Sequence, residues 1–196
     1  MAIGERARNR YARFVPHLTA VRAIVSGALI VALLDGLYPV ILYGLRGVTP
    51  DRVFQGVAAG LLGREAFRGG MATAALGLGL HVFIALAVVA TYFALSAHVR
   101  VLRTRPFLLG PVYGVAVYAF MNLVVIPLSA AGGARPAWPM VLGGLAIHVV
   151  GVGLPAAWAA AAYHRLERPF GSQPPAAPSL PPVPADADSQ NRARAH

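Results

Sequence analysis

The sequence predicts an all-α integral membrane protein built as a four-helix bundle, and three observations support this prediction. The chain of 196 residues is 57% hydrophobic and only 12% charged, with a mean hydropathy of +0.62. A soluble domain carries about 25% charged residues, so the charge here is too low to cover a water-facing surface. Long apolar stretches recur along the chain, and most arginines lie at their ends. Together these features indicate a chain that crosses a bilayer several times.

The N-terminal part begins with a basic segment and continues into the first apolar stretch. Residues 1–16 carry four arginines, and Pro16 is expected to break this segment. Residues 18–45 form the first predicted span, which contains Arg22 and Asp35. A basic head before an apolar run is typical of a signal peptide, but this run is too long and no A-x-A site follows it. We therefore interpret it as an uncleaved transmembrane helix.

The first loop contains a short helix that does not cross the membrane. Thr49, Pro50 and Asp51 match a helix start, with a capping residue, a proline in the first turn and an acid near the positive end of the helix dipole. Apolar residues follow at helical spacing as far as Gly63. The predicted helix, residues 50–62, is too short to span a bilayer, so we expect it to lie at the interface or to fold back on the bundle.

Three further spans are predicted at residues 71–95, 107–130 and 139–163. Each is long enough to cross the hydrocarbon core, which takes roughly 20 apolar residues at about 1.5 Å rise each. With the first span they form a transmembrane domain over residues 17–168. Residues 169–196 are rich in proline, alanine and serine and have little apolar surface to bury, so this cytoplasmic tail is expected to be disordered.

The positive charge of the chain is explained by membrane topology. All 17 basic residues are arginines; twelve lie on one side of the predicted spans and five on the other. The positive-inside rule then places both termini in the cytoplasm. Nucleic-acid binding is not expected, although the pI is about 11.2. The expected partners are the lipid bilayer and either copies of the chain or a larger membrane complex.

Polar side chains inside the predicted spans are the candidate functional residues. Four of them lie at a similar depth, counted from the outer end of each span: Asp35, His81, Asn122 and His148. A charged group near the centre of a span costs about 2.5–3.5 kcal/mol, so these side chains should face one another rather than lipid. Gly77 and Gly144 precede the two histidines by four residues and should allow close helix packing. This match between the second and fourth spans also suggests an internal duplication.

Three interpretations of this polar layer remain open. The first is interhelical hydrogen bonding, which stabilises by about 0.6 kcal/mol per bond and fixes the register of the helices. The second is passage of protons, cations or small solutes along Asp35, His81, Asn122 and His148. The third is a haem held between His81 and His148, as in a membrane electron carrier. A metal site of the two histidines with Asp35 is a related alternative, with ligands that suit zinc or iron.

No catalytic motif is recognisable in the sequence. There is no nucleophile elbow, no Walker motif and no HExxH, and Ser26, Ser96 and Ser129 have no base at an obvious spacing. The absence of cysteine excludes disulfides, Fe–S clusters and thiolate zinc sites. We therefore expect a non-enzymatic protein without a cofactor, with a structural or envelope-homeostasis role.

Several short runs resemble segments of small bacterial inner-membrane proteins. They are VYGVAVY at 112–118, MNLVVIPLS at 121–129, PDRVFQ at 50–55 and GLLG at 60–63. Over about residues 20–168 the order of features is similar to the YagU-like family. The resemblance implies a four-helix inner-membrane protein and supplies no catalytic residue. Asn122 stands where that family's pattern has histidine, which puts an inherited metal or proton role at this position in doubt.

Overall fold

The computed structural model describes residues 2–132 and 138–166, with side chains from Thr19 onward. The described residues are helices joined by short connections and contain no strand. Four helices are long and apolar enough to cross a membrane, which confirms the predicted all-helical chain with four such segments. We call them spans one to four: Thr19–Gly44, Gly70–His98, Pro106–Leu128 and Trp138–Leu166. The predicted disordered tail, residues 169–196, lies outside the described residues.

The helix that contains span one begins well before the membrane-crossing segment. It runs from Ala2 to Gly44 and continues through Pro16, where the sequence predicted a break. A proline inside a long helix removes one backbone donor and distorts one turn, and the turns on either side can keep their own hydrogen bonds. Residues 2–16 therefore belong to the same helix as span one.

A short helix, Pro50–Leu62, covers one end of span two, and we call it the cap helix. It starts with proline after Thr49 and ends at Gly63, whose positive φ of 59° suits glycine. Its buried face carries Gln55, Ala58 and Ala59. Leu61 and Leu62 lie on the other side, where lipid would contact them, and are 62% and 43% exposed. Its far end reaches the turn that follows span three, because the Ala130 N–H donates to the Gly60 carbonyl at 2.9 Å. The helix is therefore folded back on the spans.

Gly77 lets the cap helix approach span two at backbone distance. A Cβ at this position would overlap the carbonyl oxygen of Phe54 and lie 3.1 Å from the Ala58 nitrogen. Gly144, the matching glycine of span four, packs instead against the Tyr118 ring, which a Cβ would meet at 3.0 Å. The two glycines thus occupy different environments, one against a helix backbone and one against a side chain.

Replacing Gly77 by alanine should loosen the cap helix, because the Phe54 backbone cannot move aside without shifting the whole helix. The readout is an Ala59→Cys reporter, which is 5% exposed in the native packing and is the only thiol in a cysteine-free chain. We expect a membrane-impermeant maleimide to label it severalfold faster in the Gly77→Ala background. Gly79→Ala is the matched control, since a Cβ there meets nothing within 4 Å. Equal labelling rates of Ala59→Cys in the Gly77→Ala and Gly79→Ala backgrounds would contradict the close packing of the cap helix on Gly77.

The spans are closely packed toward one end of the structure. We call this the terminal end, because Thr19, His98, Pro106 and Leu166 lie there, and we call the other end the capped end. Spans one, two and four meet near the terminal end through small buried side chains: Ala28, Val31, Val89, Val152, Ala156 and Ala160. Span one presents the opposite face outward, with Leu29, Leu33 and Ile41 each more than half exposed. An apolar exposed face is what lipid contact requires.

Spans three and four also contact each other through their backbones. A Cβ at Gly114 would overlap the His148 carbonyl, and a Cβ at Gly153 would overlap the Gly110 carbonyl. Each span also contains a π-helical turn, at Met121–Val125 and at His148–Gly153. In both spans a proline follows the turn by two residues, and a wider turn accommodates the missing donor and bulky ring of proline.

Candidate intramembrane polar site

Asp35 lies on the inward face of span one. Its neighbours Val31, Ala32 and Gly36 are buried, and they lie within one helical turn on the same side. Leu33 and Leu37 are exposed and lie on the opposite side. The carboxylate therefore points toward the other spans, although its side chain remains 23% exposed.

The partner of Asp35 is His148 of span four. The distance from His148 Nδ1 to Asp35 Oδ1 is 3.6 Å, and the imidazole is 17% exposed. The same Nδ1 lies 2.9 Å from the Gly144 carbonyl oxygen on its own helix. Since a carbonyl can only accept, Nδ1 carries a hydrogen and donates it to Gly144. The Asp35 carboxylate lies within ion-pair distance of the same nitrogen.

Asn122 of span three forms no hydrogen bond with this pair. Its Nδ2 donates to the Tyr118 carbonyl at 2.8 Å, within span three. The Tyr118 ring meets the His148 ring edge-on, with centroids 5.2 Å apart at 76°. Tyr118 of span three therefore packs against His148 of the pair. Asn122 is connected to the pair only through Tyr118.

His81 of span two contacts span one at Ala32, about one helical turn from Asp35. Its Nε2 donates to the Ala32 carbonyl at 2.9 Å, and a Cβ on Gly36 would lie 3.0 Å from the same nitrogen. The Phe54 ring of the cap helix lies on the ring's other side, at 6.2 Å between centroids. The structure thus brings Asp35 and His148 together, whereas His81 and Asn122 each have partners of their own.

Loss of the His81 imidazole should lower stability modestly. His81→Ala removes a hydrogen bond between spans, which is worth about 0.6 kcal/mol on average in a membrane protein and up to about 1.7 kcal/mol. Thermal unfolding in detergent should therefore show a lower Tm. His98→Ala is the matched control, because His98 is exposed at the end of the same helix. A His81→Ala variant as stable as His98→Ala would contradict the bond to Ala32.

Two further buried polar groups, Ser96 and Gln55, make contacts that the sequence analysis did not predict. Ser96, fully buried, donates from Oγ to the Phe93 carbonyl at 2.7 Å and accepts from His164 Nε2 at 3.1 Å. Its hydroxyl is enclosed and its hydrogen is already engaged, so this serine–histidine contact joins spans two and four rather than presenting a nucleophile. Gln55, 2% exposed, donates to the Gly70 carbonyl at 2.8 Å. The sequence did contain a signal for Gln55, because it is an isolated polar side chain near the alanines of the cap helix.

The four apolar spans define the class of protein: this is a multi-pass membrane protein by the length and composition of its helices. No protein-family model, curated protein or solved structure gives a match to the chain. The resemblance to the YagU-like family therefore stays a prediction. Within the described residues there is also no group of three or more histidine or acidic side chains arranged to hold a metal ion.

Proposed function

We propose that this chain is a non-enzymatic protein of the bacterial inner membrane, with both termini in the cytoplasm and a structural role in the cell envelope. The observation that carries the proposal is the use of its membrane-embedded polar groups. His81 donates from span two to span one, and the Asp35–His148 pair joins spans one and four. These groups serve helix–helix contacts, which fix register at a modest gain in stability.

Tyrosine hydroxyls support the same proposal. Tyr113 of span three donates to the Val88 carbonyl of span two at 2.7 Å, and Tyr92 donates to the Leu102 carbonyl at 2.9 Å. The two rings pack edge-to-face at 4.9 Å, so a compact polar and aromatic contact holds the terminal end together. Among the described residues, no buried side-chain nitrogen or oxygen lacks a hydrogen-bond partner.

Passage of protons or small cations is the second candidate, because an acid and an imidazole face each other inside the spans. It would require the closely packed terminal end to open. Proteoliposomes loaded with a pH-sensitive dye separate the two candidates. A structural role predicts proton flux equal to that of empty liposomes, with no change in Asp35→Asn. Flux that exceeds this level and is lost in Asp35→Asn would overturn the structural role and establish passage.

Haem ligation receives less support from the geometry. A bis-histidine site needs both rings on the same iron, but the two rings contact different neighbours: His81 lies against Ala32 and Phe54, and His148 lies against Asp35 and Tyr118. The purified protein is therefore expected to be colourless. A Soret band that disappears in His81→Ala would overturn this expectation.

A further inference from the structure

A short helix, Arg100–Thr104, joins spans two and three at the terminal end, and we call it the linking helix. Leu102 packs inward against the core shared by spans one, two and four, and the Tyr92 hydroxyl donates to the Leu102 carbonyl at 2.9 Å. The helix also packs against span four. These contacts hold the linking helix in one place and fix the positions of the residues on its outer side.

Three arginines lie on this helix or directly after it, and we call them the linking arginines: Arg100, Arg103 and Arg105. Arg100 and Arg103 are three residues apart and so share one side of the helix, and Arg105 directly precedes span three. Arg100 and Arg105 are exposed, and Arg103 is half-buried. Both ion pairs found among the described residues lie elsewhere, so no described acid neutralises these guanidinium groups.

Span three carries an exposed apolar stripe that starts about one turn after Arg105. Leu108, Val112 and Val115 have the spacing of one helix face and are 59%, 58% and 45% exposed. The apolar stripe therefore runs along span three from the linking arginines toward the interior of the membrane. A phospholipid has the same arrangement, with a charged phosphate at one end and apolar chains below it.

The arginines of the capped end lie in a different electrostatic environment. Arg68 Nη1 lies 2.8 Å from Glu65 Oε1. Arg52 follows Asp51 in the sequence and donates from Nη1 to the Phe67 carbonyl at 3.1 Å. Positive charge is therefore partly compensated there, in contrast to the linking arginines. Membrane topology explains on which side most arginines lie, but it does not require three uncompensated ones at the head of an apolar stripe.

We propose that the linking arginines and the apolar stripe of span three bind an anionic phospholipid. The phosphate oxygens accept hydrogen bonds from the guanidinium groups, whose planar fork matches phosphate, and an acyl chain lies along the stripe. Basic residues beside a membrane-spanning helix attract anionic lipids. A zwitterionic phospholipid has the same phosphate but no net charge, so this surface prefers the anionic lipid. The inference does not depend on the structural role proposed above, and its failure would leave that role untouched.

Quenching of tryptophan fluorescence by brominated lipids tests the lipid preference at the stripe. The reporter is Leu108→Trp in the full chain with Trp138→Phe and Trp158→Phe, two positions that are more than half exposed. Nanodiscs contain phosphatidylglycerol and phosphatidylcholine, and only one of the two lipids carries brominated chains. We expect the phosphatidylglycerol to be preferred about fivefold or more, the gain from roughly one net attraction between an arginine and an anionic lipid. Equal quenching of Leu108→Trp by the two lipids would overturn the proposal.

The matched control for this reporter lies at the other end of the same span. Leu123 is 76% exposed near the capped end, so Leu123→Trp contacts lipid without the linking arginines nearby. We expect the two brominated lipids to quench Leu123→Trp equally. The same preference at Leu123→Trp as at Leu108→Trp would assign it to the charge of the whole chain and overturn the proposed site.

Two triple variants with the same change in net charge test whether the linking arginines cause the preference. In the first, each linking arginine is replaced by glutamine. In the second, glutamine replaces three exposed arginines of the capped end: Arg46, Arg64 and Arg68. We expect the preference at Leu108→Trp to be lost in the first variant and kept in the second. An equal loss in both, or no loss in the first, would overturn the proposal.

Two further measurements complete the test. Arg105→Gln alone changes an exposed side chain and should lose part of the preference, which keeps the test valid if the triple variant does not fold. No loss in Arg105→Gln, when the triple variant does not fold, would count against the site. Inorganic phosphate added at constant ionic strength should leave the preference unchanged, because the acyl chain contributes to binding. Loss of the preference on addition of phosphate would mean that the arginines bind free phosphate rather than a lipid, and would overturn the proposal.

Discussion

Replacing Gly153 by valine is expected to cause the largest loss of folded protein among single substitutions in the spans. A Cβ at Gly153 would overlap the Gly110 carbonyl oxygen and lie 2.7 Å from the Gly114 nitrogen. These are backbone atoms of span three, so relief requires the two helices to separate along their contact. Overpacking against movable side chains costs about 1–3 kcal/mol, and a backbone contact should reach the top of that range or exceed it. Against a total stability of about 5–15 kcal/mol, this loss is large.

The measurement for Gly153→Val is the yield of monodisperse protein in mild detergent, together with its Tm. Gly79→Val is the matched control, because a Cβ at Gly79 meets no atom within 4 Å and should leave both quantities nearly unchanged. The same reasoning extends to Gly114, where a Cβ would overlap the His148 carbonyl. A Gly153→Val protein as abundant and stable as the Gly79→Val protein would mean that spans three and four do not pack as described.

The second large effect is expected when one member of the Asp35–His148 pair is removed. His148→Ala leaves a carboxylate inside the spans without its partner. Breaking a fully buried pair costs about 3–5 kcal/mol; because these side chains are 17% and 23% exposed, we expect a smaller loss of about 1–3 kcal/mol.

A double substitution provides the control for this effect. His148→Ala combined with Asp35→Leu removes the unpaired charge, so much of the stability lost in His148→Ala should return. The unfolding free energies of the wild type, the two single variants and the double variant give the coupling energy of the pair. If the double variant loses the sum of the two single losses, Asp35 and His148 do not interact.

The sequence predicted the helices well because length and apolar composition decide whether a segment can cross a bilayer. The cap helix was also predictable, since Thr49, Pro50 and Asp51 carry a local start signal and Gly63 matches the end. The helix through Pro16 was not predicted. Proline disfavours the interior of a helix, but a helix can continue past one lost hydrogen-bond donor. The sequence alone does not show whether the helix ends at Pro16 or continues through it.

The polar site was predicted only in part, for a geometric reason. Counting residues along each span gives the depth of a side chain, but the direction in which it points also depends on how the helices are rotated and packed. Depth alone grouped four polar residues, whereas packing brings Asp35 to His148 and turns His81 to the Ala32 carbonyl. The π-helical turn beginning at His148 changes the rotation further. The contact between Ser96 and His164 joins residues 68 positions apart and has no local signal at all.

The register of spans one and four underlies the site, and cysteine cross-linking in native membranes tests it most directly. The Leu34 Cβ lies 3.2 Å from a Cβ built on Gly151, so Leu34→Cys with Gly151→Cys is expected to form a disulfide rapidly under mild oxidation. The rest of the chain has no cysteine, so any cross-link identifies this contact. Leu33→Cys with Gly151→Cys is the control, because Leu33 is 60% exposed on the outward face. We predict efficient cross-linking of Leu34→Cys with Gly151→Cys and little cross-linking of Leu33→Cys with Gly151→Cys. No cross-link in the Leu34 pair, or equal cross-linking in the two pairs, would contradict an inward-facing Asp35 beside His148.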